Sequence, residues 1–399
     1  MVSAQSVHSQ NIDLLVLGQL RSSPGVSRVE LARQLSLAPS TVGAYVDRLV
    51  TDGFLRERKG ETVTAGRPPT IVELSPEAGQ FIGIDLDARE VHGASVDFAQ
   101  RLLRDRSEMI GARESANEVI DRIIQVIEYV RDPSRKLLGI GIAVPGTVDT
   151  EAGRIIHYRH IRGWHDIALA DEIQTQFDVP VAIENNIRAM AFAEHSFGQA
   201  RSVDDFVCLG IRSGIGAGVF IGGEIHRGSN KTAGEIGAWP CVANATSSNP
   251  IESVQMLEEV ASLRAILDRV TEQARAGHAP GVPMTRNRVT LEGLRTAIEA
   301  SDAVAIQILR ESAMVIGTAV TQLSLAIDPQ RIIVSGPLAP EEVFVTQLRE
   351  TVRTLQLGHR SEGPVVVASE LGPLAGALGA ASLAIESWSP VADTESKDP

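Results

Sequence analysis

Cysteine is nearly missing: Cys208 and Cys241 are the only two in 399 residues. They lie too far apart in sequence to suggest a disulfide framework, and they suit a reducing compartment. Aromatic side chains make up 4% of the chain, too few for the stacking platforms that single-stranded nucleic acid requires. Uninterrupted apolar runs stop far short of a membrane span. The opening Met-Val-Ser-Ala-Gln-Ser has no basic start followed by an apolar stretch, so no signal peptide is read. The expectation is a cytoplasmic protein without membrane contact. Apolar residues make up 43% of the chain, ample for globular cores, and the length implies about two or three domains.

The net charge of −13 speaks against nucleic-acid binding by the chain as a whole, yet the charge is uneven. Residues 21–67 hold eight Lys/Arg and five acids. A small basic module on an acidic body suits DNA contact confined to one end.

That end reads as three helices and a wing. Ile12, Leu14, Leu15, Leu17 and Leu20 have helical spacing, and Ser22-Ser23-Pro24-Gly25 stops the helix. A second helix is expected near Arg28–Leu35, then a short turn, Ser36-Leu37-Ala38. A third begins at Pro39, where the missing N–H costs nothing, and buries Val42, Val46, Leu49 and Val50. Ser36 stands where such turns often have Gly, and Ala38 is a weak N-cap. Thr62-Val63-Thr64 and Thr70–Leu74 are expected as wing strands, with Gly66-Arg67-Pro68-Pro69 between them. In this winged helix-turn-helix, Ser40, Thr41 and Ala44 would meet base edges or phosphate, and Arg48 would hold phosphate. Arg67 would enter the minor groove and supply A·T preference. The expected partner is a double-stranded DNA operator.

From Phe81 onward strands and helices alternate, which implies two α/β lobes with ligands at the strand ends. Five ordered motifs lie in this body: Ala143-Val-Pro-Gly-Thr-Val-Asp149, Gly163-Trp164, Val181-Ala-Ile-Glu-Asn185, Gly214-Ile-Gly-Ala-Gly218 and Ala233-Gly-Glu-Ile-Gly237. Together with the winged helix and Gly376-Ala-Leu-Gly-Ala-Ala381, they make nearly the whole chain resemble the ROK family of repressors, open reading frames and sugar kinases. The resemblance implies an α/β fold class: a winged helix-turn-helix followed by a two-lobed actin-like, sugar-kinase body. The expected domains are 1–78 for the head, 79–190 and 191–386 for the lobes, with the last helix returning to the first lobe. A disordered tail is expected over 387–399.

Departures from the family pattern fall on the chemistry. Where the kinases carry Asp-x-Gly-Gly-Thr for ATP phosphates, this chain reads Asp85-Leu86-Asp87-Ala88-Arg89, which puts a carboxylate near a polyanion. Where they use Asp as base it has Asn186, and an amide cannot take a proton from a hydroxyl. The family's zinc site is reduced to Cys241, with Ala238 in the histidine position, so neither metal nor cofactor is expected. His157, His160 and His165 read as surface or cleft histidines. Gly214, Gly216 and Gly218 fit tight packing as well as a phosphate.

The sugar-facing set implied by the resemblance is Asn185, Asn186, Glu235 and Glu252. The leading expectation is a regulator, not an enzyme: a homodimer or dimer of dimers that binds DNA, with a sugar effector between the lobes. The competing readings are a bifunctional sugar kinase and a regulator whose body docks proteins without a sugar.

Overall fold

The computed structural model describes residues 4–60, 69–87, 89–111, 113–158, 161–241, 254–356 and 363–390. The chain divides into two compact units, one of residues 1–186 with 376–399 and one of residues 187–375. The head therefore belongs to the same unit as the first lobe.

In the head, α1 (Ala4–Ser22), α2 (Arg28–Gln34) and α3 (Pro39–Thr51) pack around Val16, Leu17, Leu20, Leu31, Val42, Val46 and Leu49. Ser27 caps α2 by accepting the Glu30 N–H at 3.2 Å. Ser36 takes a left-handed φ of 54°, which explains why such turns favour glycine. The wing differs from expectation in its strand pairing. β1 (Val26–Ser27) and β2 (Leu55–Lys59) flank β3 (Thr70–Leu74), so the partner of Thr70–Leu74 is Leu55–Lys59. Residues 61–68, which include Thr62–Thr64 and Arg67, lie outside the described residues.

The first lobe is built on β4 (Gln80–Leu86), β5 (Glu90–Asp97), β6 (Leu102–Met109), β7 (Leu137–Val144) and, after the small antiparallel sheet of β8 (Thr147–Asp149), β9 (Arg154–His157) and β10 (His165–Ile167), on β11 (Val181–Asn185). The order β11-β7-β4-β5-β6 puts β4 and β7 in the middle, and both are buried along their whole length, as expected of strands covered on both faces. α4 (Ala116–Val130) lays Val119, Ile120, Ile123, Val126, Ile127 and Val130 into this core at helical spacing. α5 (Leu169–Phe177) precedes β11.

The second unit repeats the plan. α6 (Asn186–Ser196), which starts at the unit boundary, leads to β12 (Phe206–Ile211), β13 (Ile215–Ile221) and β14 (Glu224–Ile225). With β19 (Arg331–Ser335) and β20 (Val365–Ala368) they form a sheet of order β14-β13-β12-β19-β20. Each sheet has three antiparallel strands followed by two parallel ones, a duplicated topology. Between β14 and β19 come two short antiparallel pairs, β15 (Pro240–Cys241) with β16 (Gln255–Met256) and β17 (Met284–Thr285) with β18 (Arg288–Val289). The helical stretch that follows is broken into α7 (Leu257–Ala261) and α8 (Leu263–Arg275), because Ser262 turns extended and caps α8. α9 (Leu291–Glu299) precedes the long α10 (Ala303–Ile327), and α11 (Glu342–Gln356) follows β19. By length and composition α10 could cross a membrane. Its inner face, Ile308, Leu309, Ala313, Ile316, Val320 and Leu323, is part of this unit's core.

α12 (Ala375–Ser387) returns to the first lobe's sheet. A Cβ on Gly83 would stand 1.9 Å from the Ala377 carbonyl oxygen, and one on Gly141 would stand 1.8 Å from that of Ala380. Glycine lets the helix rest directly on the strands. The tail expected from 387 differs at its start. Ser387 ends α12 and Trp388 is buried among Phe54, Phe81 and Phe98. Residues 391–399 lie outside the described residues.

Candidate functional site

α3 presents Ser40, Ala44, Asp47 and Arg48 to solvent, with Thr41 half-buried beside them. Pro39 opens the helix and Ala38 offers no side-chain cap. The Arg48 guanidinium pairs with the buried Asp13 carboxylate of α1 and lies 4.9 Å from the Tyr45 ring centre. Desolvation raises the Asp13 pKa against the pull of Arg48. The phosphate role expected for Arg48 therefore competes with an internal ion pair. Arg28 reaches both Asp47 and Glu57 at 2.6 Å, which neutralises the acid on the outer face of α3.

The basic-module expectation needs correction. Over residues 1–78 the chain holds eight basic and eight acidic side chains. Arg33 pairs with Glu30, and Arg56 and Arg58 share Glu73. The three acids outside 21–67, Asp13, Glu73 and Glu77, cancel the excess of base within that stretch. Attraction of DNA to this head is a matter of placed groups more than of bulk charge.

At the end of β4 the Asp85 carboxylate is buried beneath the first turn of α12, where a Cβ on Gly376 would lie 2.1 Å from its Oδ2. The Asp87 N–H donates to the Glu90 carbonyl at 2.8 Å and closes a tight turn between β4 and β5. This turn stands where the family resemblance places a phosphate loop.

Asn185 ends β11 and Asn186 begins α6, each 6% exposed. The Asn185 side-chain amide donates to the Gly146 carbonyl at 3.1 Å, tying the strand end to the Pro145-Gly146 turn. Its backbone N–H donates to the buried Glu184 carboxylate at 2.8 Å.

In the other unit, Glu235 follows Gly234, whose φ of 85° and 1.8 Å approach of a would-be Cβ to the Ala217 carbonyl leave no room for a side chain. Glu235 is solvent-accessible but recessed. Desolvation raises its pKa, the Arg188 charge lowers it, and Glu258 adds to the rise. Arg188 is 2% exposed and donates to the Lys231 carbonyl at 3.1 Å. The Glu258 carboxylate lies against Gly214 and Gly237, 3.1 Å from a Cβ placed on either. Neither Arg188 nor Glu258 stood out in the sequence. Gly216 and Gly218 are explained by packing, since a Cβ there would meet Ile187 at 3.1 Å and Ala191 at 2.5 Å. They seat α6 on β13.

Glu252 lies outside the described residues, as does His160. His157 and His165 face each other across β9 and β10, both exposed. Trp239 packs on the second unit's core, and its carbonyl accepts the Leu257 N–H at 2.9 Å.

Two family models match the chain: the ROK family over residues 81–387 and a winged helix-turn-helix DNA-binding model over residues 10–56. The chain is 26% identical to a xylose repressor of Bacillus subtilis over 387 residues, covering 95% of this chain and 96% of that protein. It is 25% identical to the DNA-binding transcriptional dual regulator NagC of Escherichia coli over 355 residues, 87% of this chain and 85% of that one. Among solved structures it resembles a ROK family transcriptional regulator homologous to the Escherichia coli MLC protein, with a TM-score of 0.78, 23% identity and coverage of 95% and 96%. It also resembles a ROK family glucokinase from Streptomyces griseus in complex with glucose and AMPPNP, with a TM-score of 0.68 and 26% identity over 77% of this chain and all of that one.

Proposed function

Because the chain belongs to the ROK family and carries a winged helix-turn-helix ahead of that body, we propose that it is a DNA-binding transcriptional repressor controlled by a sugar or sugar derivative. In this reading the kinase-like body senses and does not phosphorylate. The observation that carries it is the pairing of an exposed recognition helix with a sugar-kinase body whose base position holds Asn186. Similarity to a xylose repressor and to NagC along most of their lengths supports it.

Ser40, Thr41 and Ala44 read the major groove, Arg67 reads the minor groove, and Arg48 both braces α3 through Asp13 and meets phosphate at its edge. Asn185, Asn186, Glu235 and Glu252 take up sugar hydroxyls, which amides and carboxylates recognise directionally. A homodimer suits a palindromic operator. The sugar acts by binding one of two conformations more tightly.

The test is selection of genomic DNA fragments by the purified protein at fixed salt, with and without D-xylose, N-acetyl-D-glucosamine, D-glucose and their phosphates. Enriched palindromic sites released by one of these compounds are expected. Sites indifferent to all of them would remove the sugar from the mechanism, and no enrichment would remove the DNA.

A further inference from the structure

Arg188 is a buried cation that the resemblance to sugar kinases does not explain. A guanidinium that is 2% exposed needs acceptors and opposite charge around it. It donates to the Lys231 carbonyl at 3.1 Å, four residues ahead of Glu235 on one continuous loop. That loop is held tightly. The Ala217 N–H donates to the Gly234 carbonyl at 2.8 Å, and the Ala233 N–H donates to that of Arg227 at 3.1 Å. α6, which carries Arg188, is itself pressed onto β13 through Gly216 and Gly218. Arg188 thus joins a rigid helix to the backbone that presents Glu235.

The charges around Glu235 oppose one another. Burial raises the Glu235 pKa, the charge of Arg188 on α6 lowers it, and the charge of Glu258 on α7 raises it further. Lys231 sits on the loop itself, with its carbonyl taken by Arg188. A carboxylate that must accept from sugar hydroxyls has to stay ionised while water is displaced from it.

We propose that Arg188 is a positioning residue: it pins the loop carrying Glu235 and supplies the positive charge that this carboxylate faces as it accepts from sugar hydroxyls. The proposal rests on the reading of Glu235 as a sugar contact. Glu258 is its counterweight, a like charge that adds to the cost burial already places on an ionised Glu235.

The test uses the full chain with Arg188→Met, Arg188→Lys and Glu258→Gln, with folding checked by circular dichroism. The first readout needs no sugar: titration of the Glu235 carboxyl by carbon NMR, assigned with Glu235→Gln. The midpoint is expected to rise in Arg188→Met, fall in Glu258→Gln and stay near wild type in Arg188→Lys. The second readout is affinity for D-xylose, N-acetyl-D-glucosamine and D-glucose from acid to neutral pH. Binding falls as pH drops through the Glu235 midpoint, so Arg188→Met loses it at higher pH than wild type, and at neutral pH binds roughly ten- to a hundred-fold more weakly. A Glu235 midpoint unmoved in folded Arg188→Met overturns the positioning role, even with sugar binding intact. Wild-type protein that binds none of the three sugars overturns the sugar reading, and with it the ligand half of the proposal, whatever the titration shows.

Discussion

Asn186 differs from aspartate by one group, and that group decides the chemistry. A carboxylate can accept a hydroxyl proton, whereas a neutral amide can only share it. Loss of a general base costs about 10²- to 10⁴-fold in rate, so restoring it alone should return at most that factor. Phosphoryl transfer also requires cradled phosphates, and in the proposed reading the turn closed from Asp87 to Glu90, with the Asp87 carboxylate on it, does not supply them. Asn186→Asp is therefore expected to release no more sugar-dependent ADP than the wild-type background in a coupled assay. Measurable turnover from this single change would refute the account of the Asp87 turn. Asn186 was legible in the sequence because it sits inside a contiguous motif. Arg188, two residues on, was not, because its acceptor Lys231 is 43 positions away. The Arg48–Asp13 pair, 35 positions apart, was hidden for the same reason. Local order announces a motif, but ion pairs across the fold exist only once the fold is made.

At the scale of elements, the legible pieces were those whose residues repeat one environment. β7 is apolar throughout and buried throughout, and β4, buried along its whole length, has only Gln80 and Asp85 as polar residues. β2, Leu-Arg-Glu-Arg-Lys, buries one residue and exposes four, so no apolar pattern marks it as a strand. α7 and α8 look continuous until Ser262 caps one and ends the other. Glycine shows the same dependence on surroundings. Gly141 lies under α12, with 1.8 Å between a would-be Cβ and the Ala380 carbonyl oxygen, while Gly43 in α3 has nothing within 4 Å. One substitution should act in opposite directions at these two sites. Gly43→Ala is expected to stabilise by about 0.5–1 kcal/mol, through helix propensity. Gly141→Ala must push the helix off the sheet and should cost about 1–3 kcal/mol. Urea unfolding of both variants checks the pair, and equal midpoints would mean that α12 yields freely.

For the whole molecule, the consequential fact is that the head is part of the first lobe's compact unit. Trp388, read in the sequence as the start of a polar tail, sits 5.0 Å from the Phe54 ring of the head and 5.2 and 6.0 Å from the Phe98 and Phe81 rings of the lobe. Arg21, in the last turn of α1, lies at this junction, 5.9 Å from the Phe98 ring centre, with Nε and Nη2 buried and without hydrogen-bond partners. Burial lowers its pKa to about 10, against the opposing charge of Glu386. The junction thus combines strong aromatic packing with a polar cost, and α12 connects it to Asp85 at the end of β4. A head fixed in this way can report a change in the lobe, whereas a head on a slack tether cannot. Trp388→Ala removes about 3–5 kcal/mol of packing without touching the recognition helix or the proposed sugar contacts. Operator affinity without sugar and sugar affinity without operator should both survive. What should shrink is the factor by which sugar changes operator affinity, read by fluorescence anisotropy. Linkage makes the same factor appear when sugar affinity is measured with and without operator. Both measurements must therefore shrink together, and an unchanged factor in either would place the coupling elsewhere than the Trp388 junction.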